Sequence, residues 1–271
     1  MDIYNINGIK LESDFVRICA LNVGNFSMGE YGNPHGTNAM YENFMKTFIE
    51  CNPNIYLFSE WDINYNQNKT SLDTFGFLKR FHFNYIKTGD GIYAGQMIYS
   101  DYEIKNQFHK DFIINPPYYF IDCTTYINCK LVHLISCHFT GRTEGRRAQI
   151  REILNYITTN NIEYYIIGGD MNLGLHTGDD QPQTQELKIQ IAREDINLFE
   201  SIGCHSLQGS SWGKPSLDGF FNTAGTGVMY ADWVNCFDNI VVSNNIFVKN
   251  VNVIVTEASD HNALIADLII M

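Results

Sequence analysis

Tyr164-Tyr165-Ile166-Ile167-Gly168-Gly169-Asp170-Met171-Asn172 is the stretch from which the fold is read. Its apolar run, closed by a pair of glycines, describes a central strand buried among neighbours. Asp170 and Asn172 stand two apart, so an extended chain points both to one face. The glycines leave room for a ligand or a second backbone to come close. A carboxylate there can orient or deprotonate a water, and the amide beside it can donate to an oxygen on which negative charge develops. Gly, Asp and Asn also favour turns, so the segment alone fits a strand followed by a bend.

Working outward, other apolar runs end the same way. Val16 to Leu21 ends at Asn22, Asn54 to Phe58 leads to Glu60-Trp61, and Leu131 to Cys137 ends at His138. Asp260-His261 precedes the apolar run Ala263 to Ala266, and Asp238 opens the strand Asn239 to Val242. A carboxylate and an imidazole at the mouth of a buried strand cost free energy unless they are used. Magnesium takes oxygen ligands and commonly only one or two protein carboxylates, which suits an isolated acid such as Glu60. An aspartate placed like Asp238 can hold an imidazole in one tautomer, and His261 is the partner expected for it. His133 lies on the opposite face of its strand from His138 and reads as structural.

The composition is 45% hydrophobic and 14% aromatic, enough for a sizeable core, and without repeat or linker the 271 residues read as one domain, 1–271. Amphipathic helices are expected over 37–51, 72–81, 144–159 and 184–202. Strands are expected over 83–87, 95–99, 102–107, 118–127, 163–168, 248–255 and 263–270, with an Asn7-Gly8 hairpin over 3–12. Alternation of strands with helices implies an α/β layered domain, and the strand runs without helices imply mixed pairing. The apolar runs fall short of the roughly 18 residues that span a bilayer, and no secretory signal is read at the start. A cytoplasmic monomer is therefore the expectation. Seven cysteines without a CxxC read as free thiols.

The net charge of -12 excludes a repressor-like basic face, though not an enzyme that meets phosphates through a bound cation. The cations available for a phosphate track are Arg142, Arg146, Arg147, Lys188, Arg193 and Lys214. Trp212, with Tyr230 and Trp233 near it, can stack on a base or pack the rim.

Leu21-Asn22, Phe58-Ser59-Glu60, Ser136-Cys137-His138, Gly169-Asp170-Met171-Asn172, Asp238-Asn239-Ile240 and Ser259-Asp260-His261 together resemble, in order, the signatures of the endonuclease/exonuclease/phosphatase superfamily, the deoxyribonuclease I-like fold. Arg146-Arg147-Ala148-Gln149 is similar to that family's Arg-x-x-Gln helix start. Met171 departs from the family's usual Phe, and Ser59 from the Gln of many members. The resemblance implies a four-layer α/β sandwich of two mixed β-sheets flanked by helices, with the site at one rim. It implies Mg²⁺, or Mn²⁺, bound by Glu60 with Asn22 nearby and Asp260 supporting the metal. Asp170 would position the attacking water, Asn172 would stabilise the transition state, and Asp238 would orient His261. His138 would act as an acid or phosphate binder, with Asp90 as its carboxylate partner. Arg142, Arg146 and Trp212 would meet the substrate. The expected activity is phosphodiester hydrolysis of DNA or RNA. The alternative is a small or lipid phosphoester such as sphingomyelin, an inositol phosphate or a nucleotide messenger.

Overall fold

The computed structural model describes residues 15–24, 51–62, 81–85, 94–113, 118–175, 184–209, 223, 236–255, 259 and 261–271. The first sheet contains β1 (Val16–Asn22), β2 (Ile55–Asp62), β3 (Phe81–Tyr85), β4 (Ala94–Ser100), β11 (Ile246–Ile254) and β12 (Ala263–Ile270), in the order β11-β12-β1-β2-β4-β3. The second contains β5 (Lys105–Asp111), β6 (Tyr119–Ile127), β7 (Lys130–Cys137), β8 (Tyr164–Asp170), β9 (His205–Ser206) and β10 (Asp238–Val242), in the order β5-β6-β7-β8-β10-β9.

Each sheet is built around one parallel pair, β1 with β2 and β7 with β8, and every other described pairing is antiparallel. The mixed pairing expected from the sequence is thus what forms. The inward side chains of both sheets interdigitate in one core that includes Ile18, Ala20, Leu57, Ile98, Ile121, Leu134, Ile166, Ile240 and Leu264. Gly168 sits in that core because a Cβ there would lie 2.5 Å from Leu57 Cδ1. The sheets therefore approach each other closely at Gly168, just below the rim.

Helix α1 (Thr143–Thr159) and helix α2 (Gln185–Glu200) cover the outer face of the second sheet. On α1 the buried residues Gly145, Arg146, Gln149, Ile150, Ile153, Leu154 and Ile157 recur at helical spacing and form one stripe. Thr184 caps α2, its side chain accepting from Leu187 N at 3.2 Å. Phe120, Ile135, Tyr165, Ile167, Ala192, Ile196 and Phe199 fill the layer beneath them. On the outer face of the first sheet, Cys19, Tyr56, Phe58, Trp61 and Tyr99 are also buried.

Boundaries differ from expectation by a few residues, most clearly at β5 and β3. β5 runs over Lys105–Asp111, not 102–107, because a turn intervenes in which Tyr102 N donates to Ser100 Oγ. Phe81, assigned to the end of a helix, begins β3. The hairpin over 3–12 and nearly all of the helices over 37–51 and 72–81 lie outside the described residues, as do Asp90, Trp212 and Asp260. Among the described residues no helix is long and apolar enough to cross a membrane.

Candidate active site

The carboxyl ends of the two parallel pairs open on the same rim, where chain ends rather than side-chain faces converge. Three registers align them. Asn22 pairs with Ser59 across β1 and β2, Ser136 with Gly168 across β7 and β8, and Asp170 with Asp238 across β8 and β10.

Asp170 Oδ2 is the hub of the site. Asn22 Nδ2 donates to it at 2.9 Å, His138 Nε2 lies 3.4 Å away and His261 Nε2 3.9 Å away. Its other oxygen, Oδ1, accepts from Asn172 N at 2.9 Å. The carboxylate is almost fully enclosed, yet both oxygens face nitrogen. Asn172 has φ 48, a left-handed conformation that Asn tolerates, and its Nδ2 donates to Phe139 O at 2.7 Å. The second hydrogen of that amide meets no acceptor among the described residues.

His261 presents Nδ1 to Asp238 Oδ2 at 2.7 Å. An ionised Asp238 makes Nδ1 the donor and leaves the lone pair on Nε2 turned toward Asp170. Burial pushes the Asp238 carboxyl up from its ordinary range, while the His261 imidazole opposes that rise. Asp238 Oδ1 accepts from Asn22 N at 3.1 Å and Ser259 Oγ donates to Asn22 O at 2.6 Å. His261 N donates to the same Ser259 hydroxyl at 3.1 Å, so β1 and the last strand are laced together beside the imidazole.

Glu60 reaches the rim through a bulge. Ser59 pairs with Gln96 and Trp61 with Gly95, so Glu60 is the extra residue, with φ 55. A bulge re-aims the side chain that it inserts. Glu60 Oε1 lies 3.8 Å from His138 Nδ1. Glu60, His138 and Asp170 offer ligand atoms that all lie within 4.8 Å of one another, a donor set that fits a divalent cation.

Other groups hold this arrangement and were not singled out in the sequence. Ser59 Oγ accepts from Asp170 N at 3.0 Å and donates to Cys137 O at 3.1 Å, joining the strands of Glu60, His138 and Asp170. A Cβ on Gly169, which has φ +134, would collide with that same Cys137 carbonyl, so only glycine fits. The second backbone expected near the glycines is therefore that of β7. Thr223 Oγ1 accepts from Asp238 N at 3.0 Å. The Tyr118 ring meets the His138 ring edge to face, 5.4 Å between centroids at 82°. Burial, then the charges of Asp170 and Glu60, push the Tyr118 phenol up, against a bond from Thr140. A serine on a buried strand or a tyrosine at a strand start carries no distinguishing signal.

The expected substrate contacts divide. Arg142 is exposed at the helix start, and its charge is felt by Tyr118. Arg146 is fully enclosed. Its Nε meets Asp195 Oδ2 at 2.7 Å, and its Nη1 donates to Gly141 O and Leu175 O at 3.1 and 2.8 Å. It therefore ties together the loops that follow His138 and Asn172.

No protein-family model matches the chain, and no curated protein matches it in sequence. Solved structures match it closely in fold. An endonuclease/exonuclease/phosphatase structure from Bacteroides vulgatus superposes with TM-score 0.67 at 16% identity, over 95% of this chain and 99% of the other. The human Nocturnin catalytic domain with bound sulfate gives 0.64 at 16% identity, over 99% and 96%. D. rerio TDP2 complexed with single-strand DNA product gives 0.66 at 13% identity, over 94% and 99%. The chain has the fold of endonuclease/exonuclease/phosphatase structures, as its motifs implied.

Proposed function

We propose that the chain hydrolyses phosphodiester bonds of nucleic acid with the help of a divalent cation. The observation that carries this reading is the convergence of Asn22, His138 and His261 nitrogens on one oxygen of Asp170, with Glu60 alongside. The likeness in fold to TDP2 complexed with single-strand DNA product supports nucleic acid as substrate.

Cleavage needs a positioned water, neutralised non-bridging oxygens and help for the leaving oxygen. Asp170, braced through both oxygens, orients the attacking water. His261, held by Asp238, presents Nε2 to the phosphate or to that water. Asn172 donates its remaining amide hydrogen to the oxygen that gains charge. Glu60 would hold the cation, with Asn22 beside it and Asp260 in support, and Mg²⁺ or Mn²⁺ would supply Lewis acidity and charge neutralisation there. Digestion of a plasmid and of a labelled oligonucleotide with Mg²⁺ is expected to stop with EDTA and in Asp170→Ala and His261→Ala. Cleavage by either variant at the wild-type rate would sink this reading.

The placement of the cations favours a second reading, a small or lipid phosphoester. Arg146 is enclosed, Lys188 is buried, and Arg147 is engaged by Glu144, Glu194 and Asp195. Three cations that could have lined a phosphate track are turned to internal partners or buried. A panel of DNA, RNA, sphingomyelin and inositol phosphates separates the readings, and a steep loss of activity with salt accompanies only the nucleic-acid one.

A further inference from the structure

The rim holds one histidine whose surroundings do not resemble those of its neighbours. His261 and His133 each place Nδ1 2.7 Å from an aspartate oxygen, the separation of a strong hydrogen bond. His138 makes no such bond among the described residues. Its side chain is only 17% exposed, yet Nδ1 stands 3.8 Å from Glu60 Oε1 and Nε2 stands 3.4 Å from Asp170 Oδ2. A half-buried imidazole facing two carboxylates at these separations is spaced as ligands are spaced around a shared ion. Donor atoms each roughly 2.0–2.3 Å from one cation lie about 3–4.5 Å from each other. The Tyr118 ring, packed nearly perpendicular to the His138 ring, restrains rotation out of that position.

We infer that Glu60, His138 and Asp170 form a mixed nitrogen–oxygen cation site in which the His138 imidazole is a direct ligand, so that the site prefers Mn²⁺ to Mg²⁺. The inference rests on the reading of this rim as a cation-assisted hydrolytic site and assigns the ion's shell within it. Two carboxylates and solvent satisfy either ion, but Mg²⁺ favours oxygen throughout, while imidazole nitrogen binds later and softer divalent ions better. His138 then acts on the cation rather than on the leaving oxygen, and the proton-handling imidazole is His261. Ser59, which joins Asp170 N to Cys137 O, sets the spacing of two of the three ligands.

Pulsed electron paramagnetic resonance of Mn²⁺ bound to the full chain, without substrate, tests this directly. Modulation from a coordinated nitrogen is expected in the wild type, and it changes character when the protein carries ¹⁵N-histidine. His138→Gln is expected to remove it and His261→Gln to keep it, with thermal melts confirming that both variants fold. Competition binding is expected to show His138→Gln losing about tenfold or more in Mn²⁺ affinity while Mg²⁺ affinity changes less than about threefold. Bound Mn²⁺ without nitrogen coupling, coupling that survives His138→Gln, or no Mn²⁺ binding would each overturn the inference, and the wild-type spectrum decides even where a variant does not fold. Nitrogen coupling in a protein that cleaves no phosphoester leaves the site standing and removes the reaction. Mg²⁺-supported cleavage without coupling does the reverse.

Discussion

His261 with Asp238, and His133 with Asp122, are two imidazole–carboxylate pairs of the same geometry in one chain. Each has Nδ1 2.7 Å from Oδ2, and each aspartate is buried. They differ in what lies beyond the pair. His261 stands just before β12 at the rim, and its Nε2 faces Asp170 Oδ2. His133 lies within β7, paired with Thr124 and Tyr165, and Tyr156 from α1 donates to its aspartate at 2.7 Å. No described hydrogen bond reaches the other nitrogen of His133, and Asp122 Oδ1 is enclosed without a partner. The pairs teach that a hydrogen-bonded, buried dyad is no sign of catalysis by itself. What counts is whether the far nitrogen opens on other reactive groups.

The largest expected effect separates the two imidazoles. His261→Ala should lower kcat on a cleaved phosphodiester by about 10²–10⁴-fold, the contribution of a positioned general acid or base. His133→Ala should leave kcat/KM within about threefold. Comparable losses from both would break the distinction. Next in size is stability. Asp122→Ala removes the shared acceptor of His133 and Tyr156 and should cost about 1–3 kcal/mol in denaturant unfolding, with catalysis retained in the folded fraction. A loss of turnover at unchanged stability would move this pair into the machinery.

Tyr156→Phe deletes one hydrogen bond and should cost about 1 kcal/mol. Its pH dependence sharpens the contrast further. Burial, and then the Asp122 charge, push the Tyr156 phenol up. The unfolded chain releases this proton near its ordinary pKa of about 10, while the folded protein keeps it. The stabilisation is thus complete below about pH 10 and is lost as pH rises through the higher folded value. Unfolding curves at about pH 8 and pH 10.5 should show the gap between wild type and Tyr156→Phe narrowing or reversing at the higher pH; a constant gap would deny that folding raises the phenol's pKa.

Much of the site could be read from strand ends. Asn22, Glu60, His138, Asp170, Asn172, Asp238 and His261 each interrupt an apolar run, and the structure brings all of them to one rim. An apolar run is visible because burial restricts residue type, and the residue that ends it stands out against that background. β5 was misplaced because Lys105–Asp111 is exposed nearly throughout, so no alternation marks it. Arg146 and Arg147 were read as phosphate contacts because their type permits it, whereas the face that they occupy is set by Asp195 on another helix. Ser59 passed as an adjustment beside Glu60, although its hydroxyl spans two other strands.

The sequence by itself determined the elements and their polar ends, because periodicity and burial act over a few residues and leave their record locally. It also determined the mixed character of the sheets, since successive strands without helices cannot all be parallel. Only the tertiary structure decided which imidazole faces which carboxylate, that a bulge turns Glu60 toward His138, and that Arg146 closes inward. Those outcomes depend on registers such as Asp170 with Asp238, separated by 68 residues of chain. A shift of one residue in such a register would reverse every side chain on the strand, and no local pattern records it.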